Sequence, residues 1–159
     1  MRKYLTFAVY IHLTSLHCAV ADAEVMKNVM VRFVKPLVKC QREMNLPESV
    51  YTDFYNFWNE DYEFTSHPTG CAIVCVAAKQ RLIVPGVQSR LDLRNSFDLL
   101  QLSGANDETA HKILYFLHKC EQTVSKEDDG CVKAIKSANC FRKEIHNNRW
   151  VPHFHEPWM

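Results

Sequence analysis

Cys40, Cys71, Cys75, Cys120, Cys131 and Cys140 carry the most reactive side chains of this sequence, with 30, 3, 44, 10 and 8 residues between them in turn. Thiols in such a set either oxidise to disulfides or hold a soft metal such as zinc. No CxxC pair occurs, so disulfides are the expectation and no metal site is. Cys71 and Cys75 stand four apart and share one face of a helix, one turn from each other. Once both are oxidised, that helix is tied to two other segments at once. Spacing alone leaves every connectivity open.

Other chemistry is sparse. His153-Phe154-His155 offers two imidazoles on an aperiodic tail, too few ligands for a transition-metal site. No nucleophile elbow, phosphate-binding loop, HExxH or dinucleotide fingerprint occurs. There is also no His-Asp dipeptide of the kind a secreted helical phospholipase needs. The reading is a non-enzyme with no cofactor. His118 lies in an apolar run one turn from the end of its helix. It is either a hydrogen-bonded, half-buried histidine or a pH trigger. A neutral imidazole held in an apolar setting has its folded pKa lowered, because desolvation disfavours the charged form. As a trigger, His118 would loosen its helix end as the pH falls from about 7 to about 5.

The first residues decide the compartment. Met1-Arg2-Lys3 is basic, the stretch to about Val20 is apolar, and Ala19-Val20-Ala21 is small. That is the pattern of a secretory signal peptide. Residues 1–21 are read as the leader, with cleavage after Ala21 and Ala23 as the competing site. Cys18 leaves with the leader, so seven cysteines become six. The leader carries Arg2 and Lys3 and no acid, so the net charge of +1 becomes −1. Nothing there suggests a nucleic-acid surface. Residues 22–159 fit a single domain by size.

The elements that must position the cysteines are helices. Met26, Val29, Met30, Phe33, Leu37, Cys40 and Met44 recur at three and four over about Glu24 to Met44, and Pro36 should kink or split that helix. After Pro47, the residues Tyr51, Phe54, Tyr55, Trp58 and Tyr62 recur at helical spacing beside Phe57 and Phe64, a cluster dense enough to wall a cavity. The cysteine helix, from about Thr69 to Arg81, is apolar on nearly every side and should be buried. Pro85-Gly86 marks a turn. Further helices are expected over Leu91–Leu102, from Asn106 or Asp107 past Ala110, Ile113, Leu114 and Leu117, and from Gly130 to His146. The pattern shows no convincing strand pair, and 147–159 is an irregular short tail. The fold class is all-α, about six helices.

The cysteine spacing, together with Glu24-Val25-Met26-Lys27-Asn28, Asp53-Phe54-Tyr55-Asn56-Phe57-Trp58, Gly70-Cys71-Ala72-Ile73-Val74-Cys75 and Cys140-Phe141-Arg142-Lys143-Glu144-Ile145-His146, resembles the insect odorant-binding proteins. The moth pheromone-binding and general odorant-binding branch is the nearest pattern. The resemblance implies six helices around a closed apolar cavity, stapled by Cys40–Cys75, Cys71–Cys131 and Cys120–Cys140. It implies a secreted carrier in sensillar lymph for a long-chain volatile alcohol, acetate or aldehyde, delivered to an olfactory receptor or sensory-neuron membrane protein, as a monomer or weak homodimer. The ligand residues it implies are Met26, Val29, Phe33, Phe57, Trp58, Ile73, Leu114, Leu117 and Phe141. Ala77 stands where several members carry a ligand-bonding serine, and Val74 where some carry asparagine. The family's loop histidine pair has no counterpart around Arg90 to Asp92. The tail is short and cut by Pro152 and Pro157. Two rival readings are a secreted interaction protein that works through its surface and a secreted lipid-active enzyme.

Overall fold

Six helices and one antiparallel strand pair make up the described residues, 2–84 and 90–154, of a computed structural model, with side chains from residue 22 onward. They are α1 (Arg2–Glu43), α2 (Ser49–Asn56), α3 (His67–Lys79), β1 (Ile83–Val84), β2 (Arg90–Leu91), α4 (Leu93–Leu102), α5 (Asp107–Thr123) and α6 (Gly130–Asn147). The Pro85-Gly86 turn lies outside the described residues, as do His155 and Pro157. No helix among the described residues is long and apolar enough to cross a membrane.

α1 is neither split nor ended by Pro36. Proline has no N–H to give the carbonyl four residues back, here that of Arg32. The Gln80 side chain, just past α3, donates to that oxygen at 3.1 Å, so the orphaned acceptor is satisfied and the helix continues. Beside it, Asn28 and Arg32 donate to the carbonyls of Ser103 and Leu102, which closes the C-terminal end of α4 against α1.

Three helices begin where a side-chain carboxylate or amide accepts a free backbone N–H. Asp92 takes that of Asn95, Asn106 that of Thr109, and Asp129 those of Cys131 and Val132. α2 is shorter than its aromatic spacing predicts. It ends at Asn56, so Phe57, Trp58, Tyr62 and Phe64 lie on a turn and loop rather than on a longer helix. The chain also forms one strand pair, Ile83 with Leu91 and Val84 with Arg90, which a two-residue length hides from any pattern of alternation.

α3 packs chiefly on α6 and α1. It is not buried all round: Thr69, Gly70, Ala72 and Val76 are buried, Ile73, Val74, Cys75 and Ala77 only partly, and Ala78 is exposed. The close face is set by Gly70, where an added Cβ would fall 2.1 Å from the Cys131 carbonyl oxygen. Disulfides join Cys40 to Cys75, Cys71 to Cys131 and Cys120 to Cys140. The cysteine helix is thereby fixed to α1 and α6, and α5 to α6.

Candidate functional site

The interior is one connected apolar cluster, drawn from every helix. Met26, Val29, Phe57, Trp58 and Phe141 are buried members of it. Phe33, Ile73, Leu114 and Leu117 pack against it. Ala77 is half-buried and lies outside it. The rings form its densest part. Phe57 stacks on Phe64 with centroids 4.5 Å apart and meets Trp58 edge-on at 4.7 Å, and Phe54 leans on Phe64 at 5.6 Å.

The loop that carries these rings is held by polar groups the sequence reading missed. Asp53 on α2 accepts from the Tyr62 hydroxyl and from the hydroxyl of fully buried Thr69. Burial, with the Asp53 carboxylate beside it, pushes the Tyr62 phenol up to about 12. Asn139 on α6 accepts from the Phe64 N–H and donates to the Phe64 carbonyl, both at 2.9 Å. Arg142, one turn on and 4% exposed, donates from Nη1 to the carbonyls of Asn59 (2.7 Å) and Glu60 (2.9 Å). His146 follows at Arg142 Nη1, 3.4 Å from its Nε2. Burial and then the Arg142 charge hold the His146 pKa below its usual value, opposed by a bond to the Trp58 backbone. The spacing 139, 142, 146 puts all three on one face of α6. It was readable as a polar stripe, but nothing local says which backbone it faces.

Two buried donors have no partner within this region: Trp58 Nε1 and Arg142 Nε. An unpaired N–H inside an apolar cluster is costly and is available to an incoming acceptor.

His118 differs from expectation. Its side chain is 52% exposed rather than held in an apolar setting, with Nδ1 3.7 Å from Glu121 and Nε2 against Gln122. The reason is register: Ile113, Phe116 and Cys120 take the buried face of α5, and His118 falls on the outer side. It lines a surface hollow of about 250 Å³ with Arg90, Leu91, Leu93, Glu121, Gln122, Ser125 and Lys133. A second hollow of about 520 Å³ is lined by 122–127 and Lys136. None of the ten expected ligand residues lines either.

The sequence matches the PBP/GOBP family over residues 22–144, and the chain belongs to that family. It is 37% identical over 139 residues to pheromone-binding protein 2 of Epiphyas postvittana, which covers 87% of this chain and 83% of that one. It is 31% identical over 128 residues to general odorant-binding protein 1 of Antheraea pernyi, covering 80% and 75%. The fold matches the crystal structure of Epiphyas postvittana pheromone-binding protein 3 with a TM-score of 0.66 and 41% identity, over 72% of this chain and 96% of that one. These relatives are, by name, binding proteins rather than enzymes.

Proposed function

We propose that the chain is a secreted carrier that takes one long-chain volatile, an alcohol, acetate or aldehyde, into the apolar cluster and moves it through aqueous lymph to an olfactory receptor. The observation that carries this reading is the cluster itself. Every expected ligand residue except Ala77 is part of it or packs on it, around an aromatic loop clamped from α2 and α6. Burying about fifteen methylenes is worth on the order of 10 kcal/mol at ~0.8 each. Association and ordering costs remove several of those. Micromolar or tighter affinity follows without covalent chemistry, metal or cofactor.

The unpartnered Trp58 Nε1 gives the site a head-group preference. A ligand whose end accepts a hydrogen bond repairs that donor, and a hydrocarbon of equal length does not. Phe57, Phe64 and Phe141 then read length and unsaturation by shape. Secretion rests on the leader, residues 1–21. Asp22, the first residue after it, is 8% exposed and accepts from the Thr109 hydroxyl at 2.8 Å, which favours cleavage after Ala21, since cleavage after Ala23 would remove that contact.

The test is to purify the protein from a eukaryotic secretion host, extract it with organic solvent and analyse the extract by mass spectrometry beside native spectra of the intact protein. A co-purifying apolar chain in a one-to-one complex supports the carrier. A protein that emerges empty and stays empty against a panel of alcohols, acetates, aldehydes and acids contradicts it.

A further inference from the structure

Asp129, His67 and the Cys71 sulfur are aligned at the corner where the N-termini of α3 and α6 meet. His67 Nε2 lies 3.1 Å from Asp129 Oδ2, and its Nδ1 lies 3.7 Å from Cys71 Sγ. A ring nitrogen of His67, Cys71 Sγ and Cys131 Sγ fall within 4.8 Å of one another. The Asp129 carboxyl is held below its usual range by the Val132 N–H and then by His67, so it stays an anion against the ring. With Nε2–H given to Asp129, Nδ1 is the ring atom that faces the sulfur, and in the imidazolium it carries the N–H that can be given to it. Asp129 is the charged group facing His67, and nearby Glu127 is taken up by Lys136 Nζ and the Asp129 N–H.

The other two bridges are shielded. Cys40 and Cys120 are both 0% exposed, so each of those disulfides has one fully buried residue. In Cys71–Cys131 neither residue is buried. Cys131 is also the second residue of α6, beside the Asp129 cap that accepts its N–H. After opening, Gly70 packed on the Cys131 backbone and the His67–Asp129 contact would keep the two sulfurs adjacent and the reaction reversible.

We propose that Cys71–Cys131 is a thiol–disulfide exchange site for small dithiols, with His67, oriented by Asp129, as the acid that releases Cys71. A reagent thiolate attacks Cys131 Sγ, forming a mixed disulfide as the Cys71–Cys131 bond breaks. The electron pair leaves on Cys71 Sγ, which takes the proton of the His67 imidazolium. The reagent's second thiol then attacks its own sulfur in the mixed disulfide and frees Cys131 as thiolate. The protein pair gains two electrons, the dithiol loses two and becomes a cyclic disulfide, and the two protons it gave up end on the cysteines through His67 and solvent.

The test uses the whole oxidised protein with limiting dithiothreitol, acid quench, alkylation and peptide mass mapping over time. Cys71 and Cys131 should be labelled first, with Cys40–Cys75 and Cys120–Cys140 intact. His67→Gln should slow that first step on the order of tenfold at neutral pH, short of the ~10²–10⁴ that a positioned acid gives in a closed site. It should also flatten the pH profile of the step and leave the rates of the other two bridges unchanged. Earlier labelling of another bridge, simultaneous opening of all three, or a His67→Gln rate equal to the parent would each overturn the proposal.

Discussion

Replacing Trp58 with phenylalanine keeps a ring at the centre of the aromatic loop and deletes an N–H that has no partner among the described residues. Two effects of opposite sign follow in the ligand-free protein. Removing an orphaned buried donor relieves about 1–3 kcal/mol. The smaller ring leaves unfilled space beside Phe57, with a cost on the order of 1–2 kcal/mol. The change in stability should therefore lie between a gain of about 2 and a loss of about 1 kcal/mol, read by urea denaturation. Binding should not cancel in this way. A ligand that accepts from Nε1 loses about 0.5–1.5 kcal/mol, roughly two- to thirteenfold in Kd. A hydrocarbon of the same length loses only the shape term. The assay is displacement of a fluorescent probe by hexadecanol and by hexadecane, on parent and Trp58→Phe. The difference between the two losses isolates the hydrogen bond, since the cavity term is common to both. Equal losses would refute the reasoning, and so would a drop in free-protein stability of more than about 3 kcal/mol, the mark of a bond already made inside the protein.

Other outcomes are equally specific. The folded His146 pKa lies below its unfolded value, so the unfolded chain binds more protons in that window; stability is fully present above about 6.5 and is lost as the pH falls below it. The new cation would face Arg142, the clamp on Asn59 and Glu60, so ligand retention should fall in parallel, and His146→Gln should blunt the loss in a binding titration run from neutral to acid pH. Truncation from Pro152 onward should leave that pH dependence intact. Asn139→Ala strips both partners from the Phe64 backbone and should cost about 1–3 kcal/mol by urea denaturation. Gly70→Ala drives a methyl into the Cys131 carbonyl and should cost on the order of 4 kcal/mol or more, read as a fall in Tm.

The helices were legible because their apolar residues recur at three and four, and α4, α5 and α6 begin within two residues of the polar caps that start them. Where legibility failed, a partner distant in sequence decided the outcome. Pro36 argues locally for a break, and only Gln80, on another element, removes the reason for one. Phe57 and Trp58 have helical spacing, yet they leave α2 because Asn139 and Arg142 hold the following loop. His118 lies in an apolar run, and its exposure depends on which face of α5 the core takes. The inward apolar set was largely readable from periodicity with the family resemblance. The polar clamp Asn139–Arg142–His146 was not, because a half-buried polar stripe and a solvated one look alike until the facing backbone is known.

The claim that the apolar cluster is a ligand site is tested most directly by calorimetric titration of the oxidised protein with a series of straight-chain alcohols of increasing length at neutral pH. One molecule should bind per chain. Affinity should rise with each added methylene by an increment approaching ~0.8 kcal/mol until the chain outgrows the site, then level or fall. Binding that is absent, or that shows no dependence on chain length, would contradict it.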